Sequence, residues 1–267
     1  MTHAHFLDPY RPRASLIHAL DPRVKFLLAV GFILAAALTP PAAWAAYILL
    51  AALALAATVL SELGVGYVLR RSGLALPFVL AAFPVLFTLD GAALLHFRLG
   101  PLVLTLSDAG LVRFVSIALK SWLSVQAAIV LAGTTPFPEL LLAMRSLRIP
   151  RLLVAIIGLM WRYLFVLADE ALRLMRARAA RSAAAAEPGR RVGGTVAWRA
   201  RVTGGMAGNL FLRSFDRADR IYNAMAARGY DGEVRMLPIP RVPLGQRVLV
   251  GLALAGLALV VLLGYLL

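Results

Sequence analysis

Two arginines set between small residues are the sharpest chemical signal in the chain: Arg181 in Ala180-Arg181-Ser182 and Arg228 in Ala227-Arg228-Gly229. A guanidinium is planar, permanently charged and able to hold a carboxylate with two parallel hydrogen bonds. With a small residue before it and a helix-ending Ser or Gly after it, each arginine is expected on a slim terminus that can enter a groove of another protein. Arg176 and Arg178 lie just upstream of the first tripeptide, so chance alone competes as an explanation there. Two such tripeptides at the ends of two amphipathic stretches make docking the favoured reading.

Little else in the sequence can do chemistry. There is no cysteine, which excludes disulfides, thiolate metal sites and cysteine nucleophiles. No G-x-x-x-x-G-K-[ST] occurs, and neither lysine, Lys25 or Lys120, follows a glycine, so ATP cannot be cradled by the usual loop and any ATP-driven work needs an external motor. H-E-x-x-H and D-D-x-x-D are absent too, and Asp216-Arg217-Ala218-Asp219 reads as a charged helix face. His3 and His5 form an H-x-H that could share a transition metal, but two ligands near the amino end fall short of a site; His18 and His96 are isolated. The expectation is a chain with no catalytic residue, no metal site and no cofactor of its own.

The elements that must position the two arginines are mostly membrane. The chain is 61% hydrophobic and 15% charged over 267 residues, with a mean hydropathy of +0.82, well above the roughly 45–50% apolar share of soluble domains. The net charge of +15 falls between apolar runs, where the positive-inside rule already requires it, so nucleic acid is not implied. Leu20-Asp21-Pro22-Arg23-Val24-Lys25 starts the first membrane helix: Asp21 suits the N-cap, Pro22 the first helical position, and Arg23 and Lys25 can reach phosphate head groups. The apolar run behind it looks superficially like a signal peptide, but further spans follow at once and retention as an anchor is expected.

The spacing predicts spans to about Leu38, over Ala42–Leu60, over Leu74–Leu89, over Leu111–Ala132 and over Val248–Leu267. Thr39-Pro40-Pro41 makes the first turn, and Trp44 and Tyr47 are placed for an aromatic belt. Arg70-Arg71 are expected in a loop, Pro77 and Pro84 kink or shorten the third span, and Asp90 to Arg113 is a mixed loop. Lys120 must face the bundle or snorkel.

Between these spans lies a polar arm. Glu139 opens a short amphipathic helix that Pro150 ends, a long helix follows from Arg151, Glu187-Pro188-Gly189 breaks it, and the stretch around Gly193-Gly194 and Gly204-Gly205 is looser. From Asn209 the pattern is helical again, with Phe211, Phe215, Ala218, Tyr222 and Met225 as an apolar stripe and Gly229 placed to cap it in the left-handed conformation. About 18 arginines and about 8 acids lie between Gly133 and Gln246, which puts the arm and the amino end in the cytoplasm. The expected class is all-α: a polytopic membrane protein with about five transmembrane helices and a cytoplasmic arm of amphipathic coupling helices. The expected division is a membrane region over 1–132, coupling helices over 133–246 and a last transmembrane helix over 247–267. The segment Leu152–Leu167 could dip into the bilayer and change the number of spans.

Three blocks then resemble a known family in order along the chain: Leu20 to Lys25, Arg162-Tyr163-Leu164 with Asp169-Glu170 leading to Ala180-Arg181-Ser182, and Arg217-Ala218-Asp219-Arg220-Ile221-Tyr222-Asn223-Ala224-Met225-Ala226-Ala227-Arg228-Gly229-Tyr230-Asp231-Gly232. They are similar to the transmembrane T component of energy-coupling-factor importers, most closely the cobalt branch of the CbiQ type. The resemblance implies a scaffold in a bacterial inner membrane whose coupling helices dock on a pair of ABC ATPases. It also implies a separate membrane subunit that binds Co2+ or Ni2+, with room for a small accessory membrane subunit. It carries the ATPase-docking role to Arg181 and Arg228, with Ala180, Ser182, Ala227 and Gly229 beside them; Ser182 stands where Gly is commoner. The rivals are a T component for nickel or a vitamin, a scaffold whose basic arm holds anionic lipid, and a membrane transferase, for which no carboxylate cluster is present.

Overall fold

The structure is a computed structural model and describes residues 9–88, 91–99, 102–147, 149–183, 195–232 and 241–266. It is helical, with one short hairpin. In order it contains α1 (Pro22–Leu38), α2 (Trp44–Leu60), α3 (Val65–Arg71), a 3-10 turn (Ser72–Ala75), α4 (Leu76–Ala81), α5 (Val85–Thr88), β1 (Ala93–Leu99), β2 (Leu102–Ser107), α6 (Asp108–Thr134), α7 (Phe137–Ser146), α8 (Arg151–Ala183), α9 (Val196–Ala227) and α10 (Leu244–Leu266). The chain divides into two compact units: α8 and α9 form one, and the remaining elements form the other.

Among the described residues four stretches are long and apolar enough to cross a bilayer, Val65–Thr88, Asp108–Thr134, Arg151–Arg181 and Leu244–Leu266, and Trp44–Leu60 is a shorter apolar helix. This is a multi-pass membrane protein. The helix from Arg151 is therefore long and apolar enough to span in its first half before it turns basic, which bears on the segment whose path the sequence left open.

The larger unit is a bundle. Phe32, Ala35 and Ala36 of α1 meet Tyr47, Leu50 and Ala54 of α2, Leu123 of α6 and Leu257 of α10 in one buried cluster. A second cluster joins Leu63 and Val68 to Ile129 and Val130 of α6. Small residues let the helices approach closely, as expected where lipid gives no hydrophobic drive to association: a Cβ at Gly264 would already lie 3.2–3.4 Å from Pro40, Ala43 and Ala46. Tyr47 belongs to this core rather than to an interfacial belt, and its hydroxyl donates to the Pro40 carbonyl at 3.2 Å. Lys120 settles as a helix-end donor, with Nζ 2.8 Å from the Ala37 carbonyl, one of the α1 C-terminal acceptors that the helix itself leaves unpaired.

Three boundaries depart from the sequence expectations. Arg70 and Arg71 lie in the last turn of α3 rather than in a loop, and Arg71 Nη1 donates to the Tyr67 hydroxyl one turn back at 2.8 Å. Pro77 falls in the first turn of α4, where it breaks no bond, so the interruption is the 3-10 turn before it and the turn around Pro84 after it. The mixed loop contains the β1–β2 hairpin, antiparallel with Ala93 opposite Ser107 and Leu99 opposite Leu102. Ser107 then caps α6 by accepting the Gly110 N–H at 3.0 Å, which moves the start of that helix ahead of Leu111.

The smaller unit is the helix pair α8 and α9. Gly204 and Gly205 do not loosen the chain: α9 begins at Val196, where the Thr195 side chain accepts the Trp198 N–H at 3.2 Å, and runs through both glycines. Its half-buried face is Val202, Met206, Leu210, Ile221 and Met225, spaced as one helical stripe. Phe211, Phe215 and Tyr222 point away from it and are exposed. The break expected at Glu187-Pro188-Gly189 and the Gly193-Gly194 stretch lie outside the described residues, as do His3 and His5.

Candidate functional site

α8 and α9 touch over a short stretch only. There Arg213 Nη1 donates to Glu170 Oε1 at 2.7 Å, and Arg178 Nη1 donates to Thr203 Oγ1 at 3.3 Å. As the α8 position advances from 170 to 178, its α9 partner retreats from 213 to 203, so the helices run antiparallel at their contact. Each carries one of the arginine tripeptides at its carboxyl end. Arg181 is 11 residues beyond Glu170 and Arg228 is 15 beyond Arg213, so at about 1.5 Å per residue the tips lie in opposite directions roughly 16 and 22 Å from the Glu170–Arg213 pair. They are two separate stations on one helix pair.

The Arg228 tip has a defined geometry. Gly229 has φ +78°, its N–H bonds to the Ala226 carbonyl at 3.0 Å, and the Tyr230 N–H reaches back to the Met225 carbonyl at 3.0 Å. That is the pairing that closes a helix with a left-handed glycine and uses up its last carbonyls. Arg228 stands one residue before it, exposed. Arg181 occupies the last described turn of α8 and is exposed too, and Ala180 lies beside it on the surface. Among the described residues neither guanidinium forms an ion pair. Both sit at helix carboxyl ends, whose partial negative charge favours a cation. Two exposed guanidinium forks on narrow helix ends can each take a carboxylate bidentately.

The motif at the start of α1 works inside the bundle. Asp21 caps the helix by accepting the Arg23 N–H at 2.9 Å, and its own N–H donates to Gln246 Oε1 at 3.0 Å, which ties α1 to the start of α10. Arg23 Nε lies 3.8 Å from Asp21 Oδ1. Lys25 is buried rather than free at the surface, and its Nζ donates to the Thr134 carbonyl at the end of α6, 3.0 Å away. Asp21 and Lys25 thus hold α1 to α10 and α6, and Pro22 occupies the first helical position. Gln246 and Thr134, the acceptors of these bonds, carry no pattern that would single them out in the sequence.

No group of three or more His, Asp or Glu side chains that could hold a metal occurs among the described residues. His18 is bonded locally, Nδ1 to the Ser15 hydroxyl at 2.6 Å and Nε2 to the Arg11 carbonyl at 3.0 Å.

The sequence model of the CbiQ family, described as cobalt transport protein, matches residues 13–238. The chain is 32% identical over 213 residues to the cobalt transport protein CbiQ of Rhodobacter capsulatus, covering 80% of each. It is 30% identical over 238 residues to the energy-coupling factor transporter transmembrane protein EcfT of Lactococcus lactis, covering 84% of this chain and 83% of that one. With the nickel permease LarQ of Lactiplantibacillus plantarum it shares 32% identity over 124 residues, 46% of this chain and 42% of the other. Matches of this extent, on a helical multi-pass chain, place it: it belongs to the CbiQ family, the transmembrane T components of energy-coupling-factor transporters.

Proposed function

We propose that this chain is the energy-coupling subunit of a bacterial cobalt importer, transmitting ATP hydrolysis by partner ABC ATPases to a separate membrane subunit that binds the ion. The observation that carries this reading is the pair of exposed guanidinium groups at the two diverging ends of α8 and α9, neither of them in an ion pair among the described residues. A dimeric motor offers two equivalent grooves, and a helix pair with one arginine tip at each end fits two grooves better than one. Arg181 docks in one ATPase and Arg228 in the other, with Ala180, Ser182, Ala227 and Gly229 keeping each tip narrow. ATP-driven closure of the motor brings the grooves together, and the change in angle at the α8–α9 contact is passed to the substrate-binding subunit.

The chain itself is not an enzyme in this scheme. Residues 1–132 and 247–267 hold it in the cell inner membrane, and 133–246 supply the coupling helices, with the amino end on the cytoplasmic side where the arginine-dense segments gather. Cobalt is preferred because the family description and the Rhodobacter capsulatus relative both name it over most of the chain. Nickel is the second reading, favoured by the permease that matches just under half of it. The ion is cargo and is bound by the partner.

The test is to purify the tagged chain from its native host in mild detergent, identify what accompanies it, and repeat with Arg181→Ala/Arg228→Ala. An ABC ATPase should accompany the wild type and be lost from the double variant, since stripping one member from a buried arginine–carboxylate pair costs about 3–5 kcal/mol. Cobalt uptake by the double variant at the wild-type rate refutes the coupling role. The metal selectivity of the accompanying membrane subunit separates cobalt from nickel.

A further inference from the structure

Helices α1, α2, α6 and α10 do not close fully on one another. They leave a cavity of about 710 Å3, inside the roughly 300–1,000 Å3 range of pockets that bury a small organic ligand. Its wall is apolar, rich in alanine, and polar only at Lys25, Gln126 and Thr134. Leu49 and Leu53, also in its lining, are about half exposed, so the cavity opens on the outer surface of the bundle.

Gln126 is 7% exposed, faces this space and makes no hydrogen bond among the described residues. Its amide atoms are not shut away from the cavity, so two donors and an acceptor are open to whatever occupies that space. Lys25 is 6% exposed and donates to one acceptor, the Thr134 carbonyl. No carboxylate lies within 4.0 Å of it among the described residues; Asp21 and Glu139 face it from beyond that distance without pairing with it, and two of its N–H groups remain available. Water could satisfy the amide and the ammonium but not the long apolar wall.

The polar groups are also ordered along the bundle. Lys25 belongs to the first turn of α1, next to the end of α6, and Gln126 lies two turns back along α6 from Thr134, about 12 Å deeper. Cation first, amide deeper and hydrocarbon beyond is the sequence that meets an anionic phosphate, an ester carbonyl and an acyl chain. We infer that the cavity holds one acyl chain of an acidic glycerophospholipid, with the phosphate on Lys25 and an ester carbonyl accepting from the Gln126 amide. A choline lipid would bring a second cation toward Lys25 and is disfavoured. Basic pockets between transmembrane helices take anionic head groups for the same reason.

Native mass spectrometry of the full-length chain in detergent tests this, with phosphatidylglycerol, phosphatidylcholine and palmitate each supplied at equal concentration. One phosphatidylglycerol should be retained per chain, with a preference of about tenfold over phosphatidylcholine, the size expected of one charge-assisted hydrogen bond. Lys25→Gln, which keeps a donor for the Thr134 carbonyl, should abolish that preference. Gly256→Leu should abolish retention altogether, because Gly256 lines the cavity and a Cβ there meets no atom within 4 Å, so the larger side chain fills the space without a clash. Equal retention of the two phospholipids, unchanged retention by Gly256→Leu, or retention of palmitate with phosphatidylglycerol absent would each overturn the assignment; the last would make the occupant a free fatty acid.

Discussion

Glu170 and Arg213 form the ion pair that links α8 to α9, 2.7 Å between Oε1 and Nη1. Arg213 is well exposed and Glu170 less so, and pairs of that kind contribute about 0.2–1 kcal/mol. Glu170→Arg should therefore leave the chain folded but replace attraction by repulsion at the contact from which both arginine tips extend. The native chain has no cysteine, so spin labels on cysteines introduced at Ala180 and Ala227 report the tip-to-tip distance without background. Glu170→Arg should broaden that distance distribution, and adding Arg213→Glu should narrow it again. An unchanged distribution in the single variant would show that packing of the Met206–Leu210 face alone sets the angle.

The Arg228 tip depends on its cap. Gly229 has φ +78°, and a Cβ there would meet no other atom, so the whole cost of Gly229→Ala is the left-handed backbone, about 1–2 kcal/mol. The helix end should fray while Arg228 keeps its charge. ATPase recovered with Gly229→Ala should fall roughly tenfold, and Gly229→Asn, which tolerates this conformation better, should fall less. Equal recovery from all three would mean that the guanidinium docks without a fixed helix end.

The Arg228 tip was legible in the sequence because it rests on a local rule: a small residue, an arginine, then a glycine in the conformation only glycine adopts freely, whereas Ser182, expected to end α8, lies within it because the helix runs on to Ala183. The start of α1 was legible for the same reason, since Asp21 and Pro22 act within one turn. What the sequence misled on was set by distant partners. Lys25 reads as an exposed, unpartnered cation until Thr134, 109 residues away, appears as its acceptor. Tyr47 reads as a belt residue until the Pro40 carbonyl and the core claim it. Gly204-Gly205 read as a looser stretch, because each helical glycine costs about 1 kcal/mol, yet the stripe from Val202 to Met225 runs across them and outweighs that cost.

Gly110 separates packing from propensity. A Cβ there would sit 2.7 Å from the Leu86 carbonyl oxygen and 2.9 Å from Ser107 Oγ, the atom that caps α6. Backbone cannot yield as a side chain can, so Gly110→Ala should cost about 1–3 kcal/mol. Gly251 in α10 is exposed with open space around it, and Gly251→Ala should be neutral or stabilise by about 0.5–1 kcal/mol. Thermal unfolding in the same detergent should therefore move the two variants in opposite directions or leave only Gly110→Ala shifted. A drop for both would indicate that the α10 surface around Gly251 is also packed.

The outward stripe of α9 is the remaining unexplained surface. Phe211 and Phe215 are 67% and 62% exposed with their ring centroids 6.5 Å apart, and Tyr222 continues the row. Fully burying one such ring is worth about 1.5–3 kcal/mol, a gain this chain does not take for itself. If the substrate-binding membrane subunit of the proposed transporter rests on this stripe, burial of these rings holds it there. Phe215→Ala should leave the unfolding temperature of the purified chain nearly unchanged, because the ring is exposed and its ring neighbour, Phe211, is exposed as well. The same substitution should strip the membrane subunit from the purified complex while the ATPases, held by Arg181 and Arg228, stay bound. Loss of the ATPases together with the membrane subunit would instead place the motor on this face, and a fall in unfolding temperature would show that the stripe packs inside the chain.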